Sequence, residues 1–101
     1  MDGFSLRTPE QVSETLAARV KALRLAKGWK QLTLAQRSGV SLASLRRFEE
    51  SGRISLQSLL ELAFALNRLD DFDLLLHPPR ASSLAELEAA EQRPGRKRGR
   101  I

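Results

Sequence analysis

The chain contains no cysteine and no tyrosine, and only one histidine, one tryptophan and one methionine in 101 residues. Without cysteine there is no disulfide framework, no thiolate nucleophile and no thiolate metal ligand. Four phenylalanines and the tryptophan are the whole aromatic complement, so the core must be built of Leu and Ala. No apolar run approaches the roughly 18 residues of a membrane-spanning helix. The first ten residues lack the basic-then-apolar layout of a secretory signal, so the expectation is a mature, cytoplasmic chain. Glycine-rich phosphate loops and dinucleotide fingerprints are also missing.

Catalysis has little to stand on. His77 sits beside Pro78-Pro79 without a nearby nucleophile and reads as a loop residue. Asp70, Asp71 and Asp73 lack the ligand spacing and glycine of a calcium loop, which leaves helix capping as their role. Neither an enzyme nor a cofactor or metal is expected.

What remains is charge, and its distribution matters more than its net value of +5. Residues 19–53 carry nine Lys or Arg against Glu49 and Glu50, while 1–18 and 54–92 are net acidic and 93–101 net basic. Basic charge gathered in one stretch suits a polyanion, because each neutralised phosphate releases condensed counterions. A solvated basic face with no partner is the competing reading.

The length allows one domain. Thr8-Pro9 reads as an N-cap with proline at the first helical position, where its missing N–H costs nothing. Val12, Leu16, Val20 and Leu23 then mark one buried face of a helix ending near Ala26. A short second helix from about Gln31 to Ser38 turns Leu34 and Ala35 inward and is stopped by Gly39, with Lys30 a poor cap. Ser41 caps a third helix, Leu42 to Glu50, terminated by Gly52. Ser55 caps a fourth to about Leu66, and Asp70 or Asp71 a short fifth through Leu76. The domain is therefore expected over 1–79. Residues 80–101 are expected to form a tail, with one or two helical turns over 84–92 and a disordered basic end from Arg93.

On a helical wheel at about 100° per residue, the face of the third helix opposite Leu45 and Phe48 holds Ala43, Arg46, Arg47 and Glu50. Two adjacent arginines on a short, anchored helix make a reading head that the major groove can admit. The residues alone leave a second reading open: surface arginines, with Arg46 paired to Glu50 at i,i+4.

The stretch Gln31, Leu34, Ala35, Gly39, Val40, Leu45, Phe48 resembles the helix-turn-helix of the phage lambda and 434 repressor and Cro family, also called the XRE family. The likeness spans about residues 10–76 and implies an all-α, compact five-helix, lambda-repressor-like DNA-binding domain with a flexible basic C-terminal tail. It implies that Leu34, Ala35, Gly39, Val40, Leu45 and Phe48 shape the motif. It also implies that Leu42, Ala43 and Arg47, with Arg46 beside them, read bases. Gln31, Thr33, Ser44 and Arg53 would touch the DNA backbone. Leu42 and Ala43 offer only apolar contact, so the arginines would supply bidentate readout of guanine; a core or dimer contact stays open for Leu42. Ser38 departs from the pattern, since an apolar residue is usual there, and implies looser packing of the second helix. Arg24 and Glu49, which read by themselves as unrelated surface charges, match a bridging pair of the family.

A narrower likeness runs from Phe48 to Leu56 with Ser58-Leu59-Leu60, and resembles HipB-type antitoxins encoded beside HipA-like kinases. It implies an autoregulating homodimer on an inverted-repeat operator of double-stranded DNA, joined by a HipA-like toxin kinase. The acidic segment 54–92 either faces such a partner or simply keeps a basic protein soluble, and the tail either touches DNA or protein. The rival function is a protein-binding module that uses this fold to neutralise or escort a partner without DNA.

Overall fold

A computed structural model of the chain describes residues 7–79. The expected turns at 84–92 and the basic end from Arg93 lie outside the described residues. Within them the chain forms α1 (Pro9–Ala26), α2 (Gln31–Ser38), α3 (Leu42–Ser51), α4 (Leu56–Ala65) and a 3-10 turn (Leu69–Phe72), with no strand. No helix among the described residues is long and apolar enough to cross a membrane.

Three helix starts follow from side-chain oxygens. The Thr8 hydroxyl accepts from the Gln11 N–H at 3.1 Å while the Thr8 N–H donates to Gln11 Oε1 at 3.0 Å, a reciprocal capping box ahead of Pro9. Ser41 and Ser55 cap α3 and α4 by accepting from Ser44 and Ser58 N–H, each at 3.1 Å. Lys30 makes no such bond for α2. Gly39 ends α2 in the left-handed region, φ +81°, where a side chain would be strained.

α1 packs on α3, and α2 on both α3 and α4. Ala17 and Val20 from α1, Leu34 and Ala35 from α2, Val40 from the joint, Leu45 and Phe48 from α3, and Leu62 and Leu66 from α4 form one buried cluster. Leu34, Leu45, Phe48 and Leu62 are its fully enclosed members. Burying each contributes about 1.5–3 kcal/mol.

Three expectations need correction. Val12 is not buried: 38% of its surface is exposed, and with Leu16, Leu23, Leu59, Phe72 and Leu75 it lines an open apolar groove. The buried stripe of α1 is Ala17, Val20 and Arg24, one turn further along, because the first turn projects past the buried cluster. The fifth helix is only the 3-10 turn, in which nothing is buried. A short helix needs tertiary packing to offset nucleation, yet Leu74, Leu75 and Leu76 are exposed and Leu76 turns to φ +59°, which stops any continuation before Pro78. Neither Asp70 nor Asp71 caps that turn; Asp71 instead pairs with Arg68 at 3.0 Å on the surface. Finally, Ser38 does not loosen α2. Its hydroxyl donates to Ala35 O at 3.3 Å and accepts from Val40 N–H at 3.1 Å, replacing apolar packing with local hydrogen bonds while Leu34 stays fully enclosed.

Candidate nucleic-acid interface

The second and third helices present one continuous outer surface. Ser41 starts α3, Leu45 and Phe48 pin its inner side to the cluster, and Ala43, Arg46, Arg47 and Glu50 are exposed on the other side. Leu42 is half-buried and packs against the cluster, so part of its side chain serves the core. Ser44 is half-buried, and its hydroxyl accepts from Ser41 Oγ at 2.9 Å. Arg53 is exposed just past the end of α3, where its N–H donates to Ser51 Oγ at 3.2 Å.

Gly52 fixes where α3 ends. It is buried at φ +81°, and a Cβ there would stand 3.0 Å from the Glu14 backbone nitrogen and 3.0 Å from the Ser13 carbonyl carbon. Only glycine allows the end of α3 to rest directly on the backbone of α1.

At the start of α2, Gln31 and Thr33 are half-buried. With no side-chain cap on Lys30, the first N–H groups of α2 point outward, an arrangement that suits an anion. Lys30 itself is exposed, so cationic charge stands at the same end.

Beneath this surface lies a polar network. Arg24 Nε donates to Glu49 Oε2 at 2.9 Å and Arg24 Nη2 to Glu49 Oε1 at 3.0 Å, with only 7% and 4% of the two side chains exposed. Arg24 Nη1 donates to the Trp29 carbonyl at 2.9 Å, and Gln31 Nε2 to Glu49 Oε1 at 3.0 Å. The pair is thus fully hydrogen-bonded, as a buried pair must be to offset desolvation. Arg46 does not pair with Glu50; its Nε donates to Gln31 Oε1 at 3.4 Å. Arg47 has no side-chain partner among the described residues.

Trp29 packs on the cluster from the joint between α1 and α2. Its ring carries two cations, Lys27 Nζ at 5.3 Å and Arg37 at 4.7 Å from the centroid. No sequence spacing announces this contact, since Arg37 lies two turns further on. Likewise only the family likeness, and no local pattern, pointed to Arg24 with Glu49. The binding of Gln31 into their network had no signal at all. His77 is exposed, and no group of acidic or histidine side chains that could hold a metal occurs among the described residues.

No curated protein and no solved structure matches the chain. A helix-turn-helix family model matches residues 20–72, from the middle of α1 through the 3-10 turn. That span is just over half of the chain and contains α2, the Gly39 joint and α3, the elements that form the outer surface; the chain belongs to the helix-turn-helix family of XRE type.

Proposed function

We propose that this protein is a sequence-specific transcriptional repressor that binds double-stranded DNA as a homodimer, each α3 lying in a major groove of an inverted repeat. The domain is of a DNA-binding regulatory kind rather than an enzymatic one. The observation that carries the proposal is the exposure of Arg46 and Arg47 on a helix whose inner side is anchored by Leu45 and Phe48. Arg46 and Arg47 read guanine edges, while Leu42 and Ala43 offer apolar contact to thymine methyl groups. The first N–H groups of α2, with Gln31 and Thr33, and Ser44 and Arg53 on the flank, lie where backbone phosphates would run.

One short helix reads too few bases to be selective alone, so two copies are required, on half-sites about one helical turn apart. Leu56, Phe64, Leu74 and Leu75, all exposed, supply apolar surface for pairing. The operator is the chain's own promoter, and the partner a HipA-like toxin kinase, in a cytoplasmic antitoxin complex; this rests on the likeness over Phe48–Leu60. The test is a footprint on the upstream region with the neighbouring reading frame examined. A protected inverted repeat beside a kinase gene supports the whole reading. Protection of one half-site by a monomer counts against the dimer. The same exposed leucines favour the second reading, a protein-binding module without DNA, and no protection at any upstream duplex would leave that one standing.

A further inference from the structure

Gln31 joins two groups of opposite character, the buried Glu49 carboxylate and the exposed Arg46 guanidinium. An ionised carboxylate only accepts, so the end of the Gln31 amide that meets Glu49 must be its NH2. The amide carbonyl is thereby turned toward Arg46, whose Nε donates to it at 3.4 Å. Glu49 cannot rotate away, because both of its oxygens are held by Arg24 inside the protein. A guanidinium held at Nε keeps its Nη1/Nη2 edge for another acceptor pair, and that edge has the fork geometry of guanine O6 and N7. Arg47, by contrast, has no side-chain partner among the described residues. The two adjacent arginines therefore differ: one is held in place before any ligand arrives, the other is ordered only on binding.

We propose that Gln31 is a positioning residue for sequence readout, its amide transmitting the fixed orientation of Glu49 to Arg46 so that Arg46 meets a base edge already aligned. This rests on the DNA-reading proposal above. It gives the Gln31 side chain a role in specificity, beyond the phosphate contact its place at a helix start suggests.

The test uses the full chain, a duplex selected by the parent protein from a random pool, and a scrambled duplex, at one fixed salt concentration. Gln31→Met keeps the side-chain length and leaves Glu49 paired with Arg24. It should lower the preference for the selected duplex about three- to tenfold, the cost of ordering one long side chain on binding, with scrambled binding unchanged. In an Arg46→Ala background the same change should cause no further loss. Arg46→Lys, at an exposed position, keeps the charge but not the planar Nε–H, and should lose the preference similarly. Equal weakening on both duplexes would make Gln31 a phosphate contact and overturn the role, as would an undiminished loss in the Arg46→Ala background. Full preference retained by Gln31→Met or Arg46→Lys would also overturn it. A parent that selects no duplex refutes the DNA-reading proposal and this one with it, whereas a selective parent matched by Gln31→Met sinks the positioning role alone.

Discussion

Arg24 and Glu49, 25 positions apart, meet through two hydrogen bonds of 2.9 and 3.0 Å, and so tie the last turns of α1 to the last turns of α3. The pair orients more than it stabilises, because desolvation offsets much of its attraction. Removing one partner should leave an uncompensated buried charge and cost about 3–5 kcal/mol, whereas replacing both by apolar residues should be near neutral. Denaturant titration of Arg24→Met, Glu49→Met and the double variant checks this. A double variant as unstable as the two singles combined would show that the loss comes from packing instead.

Leu45 and Arg47 sit two positions apart and should fail in opposite ways. Leu45 is fully enclosed, so Leu45→Ala should cost about 2–5 kcal/mol of stability, with DNA binding lost only as folded protein is lost. Arg47 is exposed, so Arg47→Ala should leave the melting temperature nearly unchanged while costing about 1–3 kcal/mol of operator binding. Titration of both variants against operator and scrambled duplex separates these outcomes. Operator binding by Arg47→Ala as tight as the parent's would remove α3 from the groove.

Two glycines with the same φ of +81° should tolerate alanine differently. At Gly39 nothing lies within 4 Å of an added Cβ, so only the left-handed backbone is strained, at about 1–2 kcal/mol. At Gly52 the added carbon would also press on the α1 backbone, and overpacking should add about 1–3 kcal/mol. Thermal melts of Gly39→Ala and Gly52→Ala should rank in that order; equal costs would mean that α1 moves aside freely.

Trp29 is the chain's only tryptophan, so its emission reports one place. Arg37→Ala should shift that emission by removing a cation at 4.7 Å from the ring centroid, and cost about 0.5–1 kcal/mol of stability. Lys27 remains over the ring and limits the loss. An unchanged spectrum would indicate that Arg37 does not rest on Trp29 in solution.

How much of this was legible before folding depends on whether the cause was local. Thr8, Ser41 and Ser55 announce helix starts because their oxygens bond N–H groups three residues on, and Gly39 and Gly52 announce ends because only the chain's own φ is involved. The buried Leu34, Leu45, Phe48 and Leu62 follow from helical spacing. Val12 belongs to the same spacing and still stands at the groove, since periodicity identifies a face but not how far along it the neighbours extend. The fifth helix failed for a related reason: Asp70 and Asp71 look like caps, yet Leu74 and Leu75 have nothing to pack on. At the interface, the outward side of Arg46 and Arg47 could be derived from a wheel, but Gln31 between Glu49 and Arg46 could not. Those three residues are brought together only when α2 and α3 cross.

The contact at Gly52 sets the mechanical character of the reading head. A helix whose end rests 3.0 Å from another helix's backbone, and whose middle is held by an internal ion pair, cannot tilt to follow a groove of unfamiliar width. Adjustment is then left to the duplex, whose bending and twisting cost depends on its base steps. Base pairs that neither copy touches thereby enter the affinity through their stiffness, and a rigid protein becomes a gauge of how pliable its DNA is.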